Sequence, residues 1–92
     1  MFSIVSQPED VIAAPNEEIT FHVEAEGEGL TYQWQFSSNG GKSWGNSSVG
    51  NPKTDTLTVK AESRRNGYQY KCIISDGKTT VETIPVTLTI AE

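Results

Sequence analysis

Hydrophobic and polar residues alternate one by one along most of the chain, which is the period of a half-buried β-strand. Within residues 18–26, Ile19, Phe21 and Val23 fall on one face, and the residues between them are polar. Thr, Val, Ile and Tyr, which favour strands, are frequent in such segments. Helical periodicity is almost absent. The pattern therefore predicts an all-β protein.

Seven or eight short strands are predicted, separated by Gly, Pro, Asn and Asp, which favour turns. They cover residues 2–6, 11–14, 18–26, 31–37, a return strand beginning at 42–44, then 56–60, 67–75 and 80–90. Pro85 lies inside the last segment and has no N–H to donate, so we expect a bulge or an edge position there. Short strands at this spacing predict one β-sandwich domain over residues 1–92, with its core between about 3 and 90.

Residues 37–44 read Ser-Ser-Asn-Gly-Gly-Lys-Ser-Trp. They fit loosely the pattern S-x-[DN]-x-G-x-[ST]-W of the Asp-box, a hairpin found in sialidase-like propellers. A chain of 92 residues is too short for a propeller of several four-stranded blades, so the likeness is expected to be local. Asn39-Gly40 is the pair best suited to positive φ and a tight turn. We interpret the segment as a structural hairpin.

A second pattern spans nearly the whole chain. Trp34 lies in the middle of a predicted strand, and residues 66–72 read N-G-Y-Q-Y-K-C. This combination resembles the immunoglobulin signature, with its core tryptophan and its D-x-G-x-Y-x-C motif, and in particular the Ig-like modules of bacterial surface proteins. The resemblance implies an all-β, immunoglobulin-like Greek-key β-sandwich of seven to eight short antiparallel strands. It also implies that Trp34 and Cys72 are buried and close, and that the Tyr70 hydroxyl bonds to backbone in the corner 61–66.

Val23 stands where that family has its first cysteine, so the inter-sheet disulfide cannot form. Cys72, the single cysteine of the chain, is expected to be a buried and inert thiol. The single histidine, His22, is expected on the opposite face of its strand, which leaves no nucleophile–base pair. We therefore predict no catalytic residue, no cofactor and no metal site, and we do not expect an enzyme.

The formal charge of −5 argues against nucleic acid as a partner. Residues 1–30 hold seven acids and no Lys or Arg, whereas residues 31–92 hold five acids and seven bases. This split is interpreted as a solubilising surface, with head-to-tail or cross-strand pairing as the alternative. Glu24, Glu26 and Glu28 are expected to form a solvated face opposite Lys60, with a calcium site there or near Glu9 and Asp10 as the alternative.

The resemblance implies an extracellular or cell-surface bacterial setting, with neighbouring Ig-like domains in the parent chain. No apolar run approaches the roughly 20 residues of a membrane helix, so membrane insertion is not expected. We expect a monomeric domain that acts as a spacer or as a protein-interaction or adhesion module. The alternative is a carbohydrate-binding module. In either case the candidate ligand-binding residues are Trp44, Asn39 and Lys42, because an exposed Trp beside polar loop residues can stack on a sugar or anchor a protein.

Overall fold

The computed structural model describes residues 3–47 and 52–91. The strands there are β1 (Ser3–Ser6), β2 (Val11–Ala13), β3 (Glu18–His22), β4 (Glu24–Glu26), β5 (Thr31–Ser37), β6 (Gly45–Asn46), β7 (Thr56–Lys60), β8 (Gln69–Ser75), β9 (Thr80–Glu82) and β10 (Val86–Ile90). A single 3-10 turn covers Ser63–Arg65, and these parts of the chain contain no α-helix. The all-β prediction is confirmed.

The strands form two facing layers. In the first layer, β1 pairs with β4 and β3 pairs with β7, all antiparallel. In the second, the strand order is β2-β10-β8-β5-β6, with β9 also paired to β8. One pairing differs from the expected antiparallel pattern, because β2 runs parallel to β10. Since β2 continues from β1 after a break at residues 7–10, the first predicted strand crosses from one layer to the other.

The core lies between the layers and is built from the inward side chains of alternating strands. Trp34 on β5 faces Cys72 on β8 in the strand register, and neither side chain is exposed to solvent. The Phe21 ring lies between two other rings, with its centroid 6.4 Å from that of Trp34 and 4.9 Å from that of Tyr70. Val23 is fully buried, as expected for a residue that fills the place of a cysteine. The predicted burial and closeness of Trp34 and Cys72 are confirmed.

The last predicted strand is interrupted at residues 83–85, so Pro85 does lie at an irregularity. Glu82 faces Ile73 and Val86 faces Tyr70, so four steps along one strand match three along the other. The extra residue is the mark of a bulge. It leaves proline where no ladder hydrogen bond is needed, which is why the strand tolerates a residue without an N–H.

The first and last strands of the domain point to opposite ends of its long axis. The structure measures 43 × 23 × 19 Å along its principal axes. Ser3, at the start of β1, pairs with Glu26. Ile90, at the end of β10, pairs with Ala13, and its N–H donates to Asn66 Oδ1 in the corner 61–66. The first and last strands therefore have their outer ends at opposite ends of the domain.

Candidate functional site

The hairpin at residues 38–44 is held together by its own side chains. Asn39 Oδ1 accepts hydrogen bonds from Ser37 Oγ at 2.8 Å and from the Ser43 N–H at 3.0 Å. Asn39 Nδ2 donates to Ser43 Oγ at 2.8 Å, and the Gly41 N–H donates to Ser37 Oγ at 2.9 Å. Ser37, Asn39, Gly41 and Ser43 are four of the five matched positions of the Asp-box pattern, the fifth being Trp44, so that likeness is local and structural.

Two details of the hairpin differ from the sequence-based prediction. The residues with positive φ are Gly40 and Gly41, at 75° and 89°, and not the pair Asn39-Gly40. Asn39 instead uses its amide as the acceptor and donor that closes the loop, an ordinary role for Asn in turns. The return strand begins at Gly45 rather than at residues 42–44. The loop therefore folds back over the sheet, where a Cβ on Gly41 would lie 3.0 Å from Gln69 Oε1.

Trp44 is half-buried on the outer face of the second layer. Lys71 Nζ lies 4.5 Å from the centroid of the indole ring, within the range of a cation–π contact. The same ammonium group is 2.7 Å from Glu82 Oε1. Next to this trio, Gln35 Nε2 donates to Asn46 Oδ1 at 2.9 Å. Lys71 and its partners were not identified from the sequence, because they meet Trp44 only through strand pairing.

The three candidate ligand-binding residues therefore have different surroundings. Trp44 contacts Lys71 and is partly exposed to solvent. Both polar atoms of the Asn39 side chain are used inside the hairpin, which makes Asn39 a positioning residue. Lys42 is exposed at the tip of the same loop. The fold thus places all three on one hairpin, and Trp44 is the member whose surface is suited to a ligand.

A cavity of about 260 Å³ opens at the end of the sandwich that holds the corner 61–67. It is lined by Phe36, Ser47, Val59, Arg64, Arg65, Tyr68 and Tyr70. The Phe36 and Tyr68 rings are stacked, with centroids 6.0 Å apart and planes at 13°. The cavity therefore combines an aromatic wall with two guanidinium groups.

Glu62 pairs with both arginines at the mouth of this cavity. Its Oε2 lies 2.8 Å from Arg64 Nη2 and 3.7 Å from Arg65 Nη2. Arg65 also donates from Nη1 to the Lys60 carbonyl at 2.9 Å, and its side chain is only 15% exposed. One carboxylate between two guanidinium groups leaves a local excess of positive charge.

The expected hydrogen bond from the Tyr70 hydroxyl to the corner 61–66 is not found among the described residues. The Tyr70 ring packs against Phe21 and the residue lines the cavity, while Asn66 holds the corner by accepting the Ile90 N–H at 2.9 Å. Among the described residues, every buried side-chain polar atom has a hydrogen-bond partner. The Tyr70 hydroxyl has no such partner among those residues, so it must be reached by solvent. Burial raises the Tyr70 pKa, and the positive charge of Arg65 acts in the opposite direction.

Cys72 and His22 do not form a catalytic pair. The Cys72 side chain is fully buried, and burial raises the pKa of its thiol to about 12. His22 lies exposed on β3, where its Nδ1 is 2.8 Å from Thr56 Oγ1. A thiol with so high a pKa holds almost no thiolate near neutral pH, and the thiolate is the nucleophile.

The acidic strand β4 is exposed as expected, but Lys60 does not lie opposite it. Glu24, Glu26 and Glu28 all face solvent, whereas Lys60 on β7 pairs with Glu18. The expected pairing with Lys60 was wrong, because β7 begins opposite His22 and does not extend alongside β4.

Within residues 3–47 and 52–91, no three His, Cys, Asp or Glu side chains are grouped so that they could hold a metal ion. In the same part of the chain, no helix is long and apolar enough to cross a membrane.

Solved structures resemble this architecture over nearly its whole length. A structure of Sidekick-1 immunoglobulin domains 1–5 matches with a TM-score of 0.70 and 16% identity over 97% of this chain and 19% of that one. A chimeric titin Z1Z2 protein carrying an exogenous peptide from decorin matches with a TM-score of 0.69 and 15% identity over 98% of this chain and 93% of that one. The fold is immunoglobulin-like. At these identities the likeness concerns the fold alone.

One curated relative is similar in sequence as well. Endoglucanase C of Cellulomonas fimi is 32% identical over 88 residues, which is 95% of this chain. The chain spans only 8% of the length of that protein. No family model matches the chain. The relative therefore contains a segment similar to this immunoglobulin-like domain within a much longer protein.

Proposed function

We propose that this chain is a non-catalytic immunoglobulin-like module of a larger secreted or cell-surface protein, where it holds neighbouring parts of the chain apart or presents a surface to a partner. The observation that carries the proposal is the position of the outer strands. β1 starts at one end of a body 43 Å long, and β10 finishes at the other. A module with this path adds length to a chain of domains without turning it back.

The chemistry of the side chains supports a role without catalysis. Cys72 is held as a buried thiol and His22 lies on a different, exposed surface. The carboxylates of Glu24 and Glu26 are exposed on β4 and, among the described residues, do not line a cleft that could hold a substrate between them. The similarity to a segment amounting to 8% of an endoglucanase supports the setting of a module in a multidomain protein.

The proposal is tested by assaying the purified chain for hydrolysis of cellulose, xylan and other polysaccharides, together with its thermal unfolding. We expect no release of reducing sugar and a single, reversible two-state transition, as for an independent domain. Hydrolase activity that disappears when one carboxylate is replaced would overturn the proposal. An unfolding curve that is not cooperative would show that the chain is not an independent module.

A carbohydrate-binding role is the second candidate, and the surface around Trp44 favours it. The indole ring lies on the sheet against Lys71, with the Gln35–Asn46 amide pair nearby. An aromatic ring on a flat polar face is suited to stacking on a sugar ring. Trp34 is fully buried, so a fluorescence change on adding a soluble polysaccharide reports on Trp44. Binding that is lost in Trp44→Ala but kept in Lys78→Ala, which changes an exposed lysine of another turn, would establish this role, and an unchanged spectrum would exclude it.

A further inference from the structure

The mouth of the cavity is locally basic and partly aromatic, while Glu17 and Glu18 lie beside Lys60 and Ala61 at the same end of the sandwich. Arg64 is 64% exposed at its side chain, and Glu62 is its ion-pair partner. A guanidinium group has five N–H donors, and Arg64 uses Nε and Nη2 toward Glu62. Arg64 therefore keeps donors that an incoming carboxylate can take up. With Arg65 beside it, the cavity mouth has a net positive charge.

A second, independent feature of the same cavity points to a polar ligand. Tyr70 is only 3% exposed, it lines the cavity, and its hydroxyl has no hydrogen-bond partner among the described residues. A hydroxyl at the inner wall that only solvent satisfies is a donor available to a ligand. The stacked rings of Phe36 and Tyr68 add an apolar side to the same space.

The opposite end of the sandwich is acidic. Glu24 and Glu26 on β4 and Glu28 in the following turn are all exposed. Residues 22–30 contain no lysine or arginine. The nearby turn holds Asp76, whose pKa is lowered by hydrogen bonds from the backbone N–H groups of Thr79 and Lys78. The exposed Lys78 offsets the charge of Asp76, so the negative charge of this end comes from the three glutamates. The cavity mouth and the turn at residues 24–28 thus carry opposite charge, at opposite ends of the molecule.

From these features we infer that the cavity is a docking site for the acidic turn at residues 24–28 of a second copy of this chain. The contact joins different surfaces of the two partners, so it is head-to-tail and can repeat along a row of modules. The carboxylate of Glu26 or Glu28 meets Arg64 at the cavity mouth, and the Tyr70 hydroxyl donates to the inserted group. This inference deepens the proposed function, because it states how one module would dock on the next.

Such a contact needs only modest strength. Two modules joined by a short linker meet at an effective concentration on the order of millimolar, so an interface that is too weak to hold separate molecules together still orders a tandem chain. Exposed ion pairs individually contribute little and are screened by salt. The isolated chain is therefore monomeric when dilute, and it associates only when concentrated and at low ionic strength.

The test uses the 92-residue chain and two charge variants in sedimentation equilibrium at high concentration. One variant carries Arg64→Ala and lacks the basic site, and the other carries Glu26→Gln and Glu28→Gln and lacks the acidic site. We expect the average mass of the unmodified chain to rise with concentration, while each variant alone stays monomeric. In an equal mixture of the two variants, the intact cavity of the double-Gln variant can bind the intact turn of the Arg64→Ala variant, and no other pair of sites is complementary. It should therefore form a dimer and nothing larger.

Three comparisons make the result specific. Glu9→Lys, which changes an exposed acid away from both ends, should associate like the unmodified chain. Tyr70→Phe should weaken association several-fold without unfolding the domain. Added salt should abolish it when the Debye length falls to about 3 Å. A mass that stays monomeric at every concentration, or a mixture no more associated than its separate components, would overturn the inference. Neither result would bear on the assay for hydrolysis or on the independent unfolding of the module.

Discussion

The backbone N–H of Cys72 donates a hydrogen bond to the side-chain hydroxyl of Thr83, with 2.8 Å between nitrogen and Oγ1. Thr83 is only 3% exposed and lies at the bulge between β9 and β10. Its own N–H donates to the Cys72 carbonyl at 2.9 Å. A side chain thus replaces the carbonyl that the bulge removes from the ladder, and the centre of β8 stays fully bonded.

Replacement of Thr83 by Val should lower the free energy of unfolding by about 1–3 kcal/mol, because the buried Cys72 N–H loses its acceptor while the side-chain volume is kept. Chemical denaturation followed by fluorescence measures the change. Thr83→Ser is the matched control, since it keeps the hydroxyl and should lose less. Equal stability of Thr83→Val and the unmodified protein would show that the bond contributes nothing.

Asn39→Ala should destabilise the hairpin by about 1 kcal/mol, because the loop loses the acceptor for Ser43 and Ser37 and the donor to Ser43 Oγ. Trp44 would then be held less firmly over Lys71, and its fluorescence should shift toward that of an exposed indole. Asn39→Asp retains the acceptor oxygens and is the control. A spectrum unchanged in the Ala variant would mean that the loop is positioned without Asn39.

Tyr70→Phe should leave the free energy of unfolding within about 0.5 kcal/mol of the original, because the hydroxyl makes no hydrogen bond to the corner 61–66. Asn66→Ala is the informative comparison. It removes the acceptor of the Ile90 N–H and should cost about 1 kcal/mol. A larger loss in the Tyr70 variant than in the Asn66 variant would restore the hydrogen-bonded tyrosine corner.

Cys72 should make the stability of the protein depend on pH in the alkaline range. Burial raises the thiol pKa from 9.0 to about 12, so the unfolded chain releases this proton at a lower pH than the folded protein. The contribution of the protonated Cys72 thiol to the free energy of unfolding is therefore complete below about pH 9. It decreases as the pH rises towards 12, by up to about 1.4 kcal/mol per pH unit.

Denaturation midpoints measured between about pH 9 and 12 should show this loss of stability, and the Cys72→Ala variant should lose less stability over the same range. The same slope in both proteins would mean that other groups cause it. Native Cys72 should also react slowly with a thiol reagent and rapidly after unfolding, because the side chain is fully buried. Rapid labelling of the native protein would contradict the buried position.

Much of the fold was predictable because a strand has a period of two. Alternation alone put Phe21, Trp34 and Cys72 on inward faces, and all three are buried. The turn residues marked the ends of most strands, and Pro85 marked the bulge. The hairpin at 37–44 was recognised as a structural turn, although its left-handed positions fell on the two glycines and not on Asn39.

The candidate sites were less predictable, because they depend on contacts between distant segments. Trp44 was singled out as a surface aromatic, but its neighbour Lys71 comes from β8, whose register against β5 no local pattern reveals. The cavity was not predicted at all. Arg64 and Arg65 lie in a corner of ordinary polar sequence, and they line an opening only because β5 and β7 end, and β8 begins, near them.

The sequence by itself determined the class of the fold, the inward faces of its strands and the absence of an internal disulfide, since each follows from the period of the pattern or from a count of residues. Only the tertiary structure decided that Thr83 completes the ladder at Cys72, that Tyr70 opens to a cavity rather than bonding to the corner, and that the acidic turn and the basic corner lie at opposite ends. The physical reason is that alternation fixes which face a side chain takes, whereas strand register, bulges and the packing of both layers together fix which distant residues it meets.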